Sequence, residues 1–200
     1  MHPTYLALGD SYTIGESVPL HESFPYQLVQ QLRVKHPGFM APEIVAKTGW
    51  TTNELATHLI HTLLQKQYDF VTLLIGVNNQ YRGRLASEYA VEFESLLQQA
   101  IAFAKGIATH VVVLSIPDWG VTPFAADRNA ALIAAEIDDY NAVNKQITQQ
   151  YGCVYVDITP STRKNGTNAS YLAEDGLHPS ALEYELWATA LCEQLMLHLQ

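Results

Sequence analysis

At 200 residues the chain can form one domain that buries roughly 70% of the surface its unfolded form exposes, so neither disulfides nor metals are needed to hold it together. A hydrophobic content of 48% with 16% charged residues excludes a disordered or fibrous chain. Eleven basic against twenty acidic residues give a formal charge of -9, which excludes the clustered positive surface that binds nucleic acid.

In chain order, five short apolar runs have strand length: Thr4 to Gly9, Glu43 to Lys47, Phe70 to Gly76, His110 to Ile116 and Cys153 to Thr159. Val111-Val112-Val113-Leu114 is continuous and β-branched, as in a strand covered on both faces. Between the runs lie residues at helical spacing. These are Phe24, Leu28, Leu32; Leu55, Leu59, Leu63; Tyr89, Phe93, Leu96, Leu97; and Ile133, Ile137, Tyr140, Ile147. A last helix carries Leu182, Leu186 and Leu195.

Strands alternating with helices predict right-handed parallel crossovers and a three-layer α/β domain spanning residues 1–200, without repeats or linkers. In such sheets, ligands bind beyond the carboxyl ends of the strands. No apolar run reaches the roughly 18 residues of a membrane span, and no basic start or cleavage site follows Met1. Cys153 and Cys192 read as buried thiols, which fits a cytoplasmic protein; a secreted form whose leader has been removed fits the same residues.

The chemistry-bearing residues gather at the ends of predicted elements. Gly9-Asp10-Ser11-Tyr12-Thr13-Ile14-Gly15-Glu16 follows the first strand, placing Ser11 at the carboxyl edge; taken alone, Gly-Asp-Ser is more often a structural turn than a nucleophile site. Near the other end, Asp175-Gly176-Leu177-His178-Pro179-Ser180 precedes the last helix, with Ser180 and Glu183 spaced as a capping box. A turn across three residues can set the Asp175 carboxylate beside the His178 imidazole, the support a serine base requires; an isolated Asp-x-x-His is more often a capping turn.

Acyl transfer further needs donors for the oxygen that becomes negative. Asn78, in Gly76-Val77-Asn78-Asn79, offers a side-chain amide, and Gly49, in Thr48-Gly49-Trp50, offers a backbone N–H just before a helix start marked by Thr51 and Glu54. Their bland counterparts are a loop amide and a structural turn.

These four blocks, in this order, resemble the SGNH or GDSL hydrolases, and the resemblance runs from Gly9 to Pro179. It implies that Ser11 is the nucleophile, that His178 is the base oriented by Asp175, and that the N–H groups of Ser11 and Gly49 with the Asn78 amide form the oxyanion hole. It also implies a flavodoxin-like α/β/α sandwich of sheet order 2-1-3-4-5. Tyr12 stands where the family name has Leu, and Asn79 where the third block often has Asp, which leaves the hydrogen bonding of that loop open.

The expected activity is hydrolysis of a small ester with a short acyl chain, since no lid or large insertion interrupts the fold. Acyl transfer, a thioesterase or lysophospholipase on the same triad, and a non-catalytic binding module are the alternatives; a nucleotide or phosphate binder ranks last, because Asp10 would repel phosphate. The scheme needs no metal and no cofactor. His58 and His61, three apart on a predicted helix, read as helix surface rather than a metal site, and Glu136, Asp138 and Asp139 as a solvated face. The loops Gln80-Tyr81-Arg82-Gly83-Arg84 and Pro117 to Phe124 should wall the pocket. Trp119 and Phe124 either cover substrate or pack the loop, while Arg82 and Arg84 read as solvated surface ahead of a site for an anionic head group. Oligomeric state is left open.

Overall fold

The computed structural model describes residues 2–197. Five parallel strands, β1 (Tyr5–Asp10), β2 (Glu43–Lys47), β3 (Phe70–Leu74), β4 (Val111–Leu114) and β5 (Val154–Val156), form one sheet in the order β2-β1-β3-β4-β5. Leu8 pairs with Val45 on one side and Leu73 on the other, and Val113 pairs with Leu73 and Tyr155. β1, β3 and β4 are buried along their whole length, which is why their sequences run apolar without alternation.

β2 has the expected bounds, but β3, β4 and β5 are shorter than expected. Beyond Leu74 and Leu114 the runs stay buried, as do Ile158 and Thr159 beyond an exposed Asp157, but they leave the ladder, and side chains take over part of the backbone hydrogen bonding. The Ile116 N–H donates to Asn141 Oδ1 at 2.8 Å, and the Ile158 N–H to Ser115 Oγ at 2.8 Å. β1, by contrast, runs one residue further, to Asp10.

Eight helices cover the sheet among the described residues: α1 (Ser11–Ile14), α2 (Phe24–Lys35), α3 (Thr52–His61), α4 (Val77–Tyr81), α5 (Ala86–Phe103), α6 (Ala130–Gln150), α7 (Thr159–Asn165) and α8 (Ala181–Met196). α2 packs on α8, while α5 packs between α3 and α6, giving the α/β/α sandwich with order 2-1-3-4-5. The periodic residues of α2, α5 and α6 are buried as expected. No described helix is long and apolar enough to cross a membrane.

Three helical expectations need correction. Leu63 lies past the end of α3, which stops at His61, and is 98% exposed. On α8, Leu182 and Leu186 face outward, and the core is made by Tyr184, Trp187, Ala188, Leu191 and Leu195. Leucines four apart marked the wrong stripe because the aromatic residues carry more area to bury. Of the two free cysteines, Cys153 is buried but Cys192 is half-buried.

Candidate active site

β1 ends in a space with no room for side chains at Gly9: a Cβ there would collide with the Thr13 side chain and the Leu74 carbonyl. Asp10 caps α1, its carboxylate accepting from the Tyr12 N–H at 3.1 Å, so Ser11 is the first helical residue rather than part of a turn. Burial drives the Asp10 carboxyl up to about 7 from an ordinary 3.8, opposed by the Tyr12 N–H and the Asn78 amide.

That shift has a consequence for stability. The native state keeps a proton on Asp10 between about pH 4 and pH 7 that the unfolded chain has released, so this contribution is greatest below pH 4 and declines as pH rises through 7. Asp10→Asn retains an acceptor for the Tyr12 N–H and removes the titration. Between about pH 5 and pH 8 the thermal midpoint of the native protein should fall by several degrees relative to that of the variant. Midpoints that change in parallel would contradict the raised value.

β2 leads into Gly49, whose φ of +82° a side chain would strain. Arg82 Nη2 donates to the Gly49 carbonyl at 2.6 Å and pairs with Glu54, so Arg82 clamps this loop instead of standing free in solvent. Arg84 likewise pairs with Glu92. The expected capping box is present, with the Thr51 N–H donating to Glu54 Oε2 at 2.9 Å.

Asn78, early in α4 at the end of β3, donates from Nδ2 to the Trp50 carbonyl at 3.0 Å, with Asp10 Oδ2 at 3.5 Å. The open question about Asn79 resolves into two directions of bonding. Its Oδ1 accepts from the Thr52 N–H at 3.0 Å and its Nδ2 donates to Thr52 Oγ1 at 2.7 Å, with Glu92 Oε2 at 3.5 Å. An aspartate could not donate there and would face the Glu92 carboxylate, so the amide suits this neighbourhood.

The loop of Asp175 and His178 is a tight turn. His178 Nδ1 and Asp175 Oδ2 are 2.6 Å apart, and Asp175 Oδ1 accepts from the N–H groups of Leu177 and His178, both at 2.9 Å. Burial alone would raise the Asp175 carboxyl, but these bonds and one from the Ser17 hydroxyl outweigh it and hold it at about 2. Tyr12 lies against the His178 ring, with centroids 4.9 Å apart, and Trp187 backs it at 6.5 Å. The second capping box does not form: Ser180 caps α8 from its hydroxyl, but Glu183 turns inward to accept from Ser161, Asn165 and Trp187.

Ser11, Gly49, Asn78 and His178 line one cavity of about 180 Å³, together with Tyr12, Val77, Tyr81, Trp119, Phe124 and Leu177. Asp175 lies behind His178. Ser11 lines this cavity, and its Oγ makes no hydrogen bond among the described residues. The two readings of the aromatic loop divide: Trp119 is buried and anchored by its Nε1–H to Gln80 Oε1 at 2.7 Å, whereas Phe124 is 47% exposed at the cleft mouth. Tyr12, Asp10 and Ser17 were given no role in the site by sequence reasoning.

The other candidates fall elsewhere. His58 packs against Trp50 with the rings tilted, their centroids 4.6 Å apart, and no group of three or more metal-ligating side chains occurs among the described residues. The acidic cluster is not a purely solvated face. Glu136 accepts from Gln80 at 2.7 Å, and Asp138 pairs with Arg163, which also binds buried Asp118.

The sequence matches the model of the GDSL-like lipase/acylhydrolase family over residues 7–186. No curated protein matches it. Among solved structures it is similar to Axe2, an acetylxylan esterase from Geobacillus stearothermophilus, with TM-score 0.74, 20% identity, and 96% and 94% of the two chains covered. It is also similar to a lipase/acylhydrolase from Enterococcus faecalis, with TM-score 0.73, 18% identity, and 99% and 97% covered. The psychrotrophic esterase EstA from Pseudoalteromonas sp. gives TM-score 0.72, 16% identity and 98% of each chain.

Proposed function

The chain belongs to the GDSL-like lipase/acylhydrolase family and is a carboxylic ester hydrolase, and from that we propose a serine esterase acting on short-chain esters through Ser11, His178 and Asp175. The observation that carries this reading is the single cavity lined by Ser11 and His178, with Asp175 bonded to the far side of the imidazole at 2.6 Å.

With Nδ1 engaged by Asp175, the His178 lone pair falls on Nε2, on the side of the ring away from the carboxylate. Nε2 takes the Ser11 proton as Oγ bonds to the acyl carbon and the carbonyl electrons move to oxygen. The N–H groups of Ser11 and Gly49, with the second N–H of Asn78, receive that oxyanion; the long contact to Asp10 leaves this N–H available. When the carbonyl re-forms, the alcohol departs with the proton from His178. Water then gives a proton to His178 and attacks the acyl-enzyme, and the acid is released as Ser11 recovers its proton.

The cleft supports the short-chain preference. Tyr12, Trp119 and Leu177 close it on the inner side, and the space beyond them holds about 20 Å³, room for little more than one water. Hydrolysis of 4-nitrophenyl esters from acetyl to decanoyl should give the highest kcat/KM at the short end. An optimum at decanoyl would overturn the preference.

A further inference from the structure

Asp175 accepts more hydrogen bonds than its own turn supplies. Three come from Leu177 and His178, within three residues of it. The fourth comes from 158 residues away, where Ser17 Oγ donates to Oδ2 at 2.8 Å. An ionised carboxylate offers about four acceptor sites, so Ser17 completes the set. Among the described residues it is also the only hydrogen bond between the segment carrying Ser11, residues 9–18, and the loop 175–178.

The backbone at Ser17 is unusual in its own right. Its φ is +64°, in the left-handed region, where Lys105 is the only other non-glycine residue described. The turn that forces it is closed by the Val18 N–H on the Gly15 carbonyl at 3.2 Å, directly after α1. A Cβ makes this conformation costly, and glycine would take it freely. The serine hydroxyl has one partner, Asp175. Strain and a single functional contact therefore coincide at one residue.

We infer that Ser17 is a positioning residue of the site, which orients the Asp175 carboxylate and ties the base loop to the nucleophile segment. This inference rests on the reading of His178 as the base and Asp175 as the carboxylate that orients it. Ser17 acts through them: with both Asp175 oxygens fixed, the imidazole is held at one angle toward Ser11, and part of the alignment is in place before substrate arrives.

Two variants separate this role from a structural one. Ser17→Gly removes the hydroxyl and relieves the backbone; Ser17→Thr keeps the hydroxyl and adds β-branching in a region that disfavours it. On 4-nitrophenyl acetate, Ser17→Gly should lose about three- to tenfold in kcat with KM unchanged, the modest size reflecting a bond at the exposed rim, while its thermal midpoint stays at or above that of the native protein. Ser17→Thr should keep kcat within about twofold and melt lower. Activity then follows the hydroxyl, and stability follows the backbone. Native kcat in Ser17→Gly, or activity that tracks the melting midpoint in both variants, would overturn the inference. Retained activity in Ser11→Ala would instead remove the triad reading beneath it, whereas an inactive Ser11→Ala beside a fully active Ser17→Gly removes only the role of Ser17.

Discussion

Ser11→Ala should reduce hydrolysis of 4-nitrophenyl acetate by about 10⁴- to 10⁶-fold while leaving the fold intact. The hydroxyl lost is small, lies at the start of α1 facing the cavity, and makes no hydrogen bond that supports the surrounding structure. Its removal should leave the thermal midpoint within a few degrees. The remaining rate would come from the oxyanion donors and binding alone. An organophosphonate should add its mass to the native protein and not to the variant. Activity persisting at full rate in folded Ser11→Ala would refute this residue as nucleophile.

Asp175→Asn should cost about 10⁴-fold in kcat with little loss of stability. The amide oxygen can still accept from the N–H groups of Leu177 and His178, so the turn persists. Its NH₂ would donate to His178 Nδ1 where the carboxylate now accepts, which moves the ring proton to Nε2 and removes the lone pair that takes the Ser11 proton. The effect is therefore one of tautomer rather than of packing. The native carboxyl, held at about 2 against an ordinary 3.8, also contributes stability above about pH 4 that is lost as pH falls toward 2. In the variant this acid limb should be absent from the melting profile. A variant retaining a tenth or more of native kcat would contradict the assigned role of Asp175.

What could be read from the sequence follows the range of the interactions involved. Continuous apolar runs and 3.6-residue spacing marked the five strands and the buried faces of α2, α5 and α6, because burial periodicity is written locally. Strand order came from the resemblance, since the pairing of Leu8 with Val45 and Leu73 joins distant segments without a local signal. Strand ends were misplaced where side chains such as buried Ser115 and half-buried Asn141 replaced ladder partners. The helices α1, α4 and α7 are too short for periodicity to show, although Pro160 after Thr159 was a start signal for α7.

The site divides in the same way. Ser11, Gly49 and Asn78 stood in compact blocks at predicted strand ends and Asp175 and His178 in one just before the last predicted helix, and the structure gathers them around one cavity. Ser17 carried no such mark, since its partner lies 158 residues away and its left-handed backbone depends on the turn after α1. Glu183 had the spacing of a capping residue, but Ser161, Asn165 and Trp187 drew it inward, a tertiary preference that overrides the local one.

The bond from Ser17 to Asp175 also bears on when the protein can first act. A ribosome adds roughly 5–20 residues per second, so the 158 residues between these two partners take on the order of 8 to 30 seconds to synthesise. Throughout that interval the nascent chain holds the segment of the proposed nucleophile without the proposed base, and α2 lacks the α8 surface on which it packs. On the proposed triad, catalytic competence should therefore arise only once α8 has been made and has docked on α2, and a shorter nascent chain should be inert toward esters.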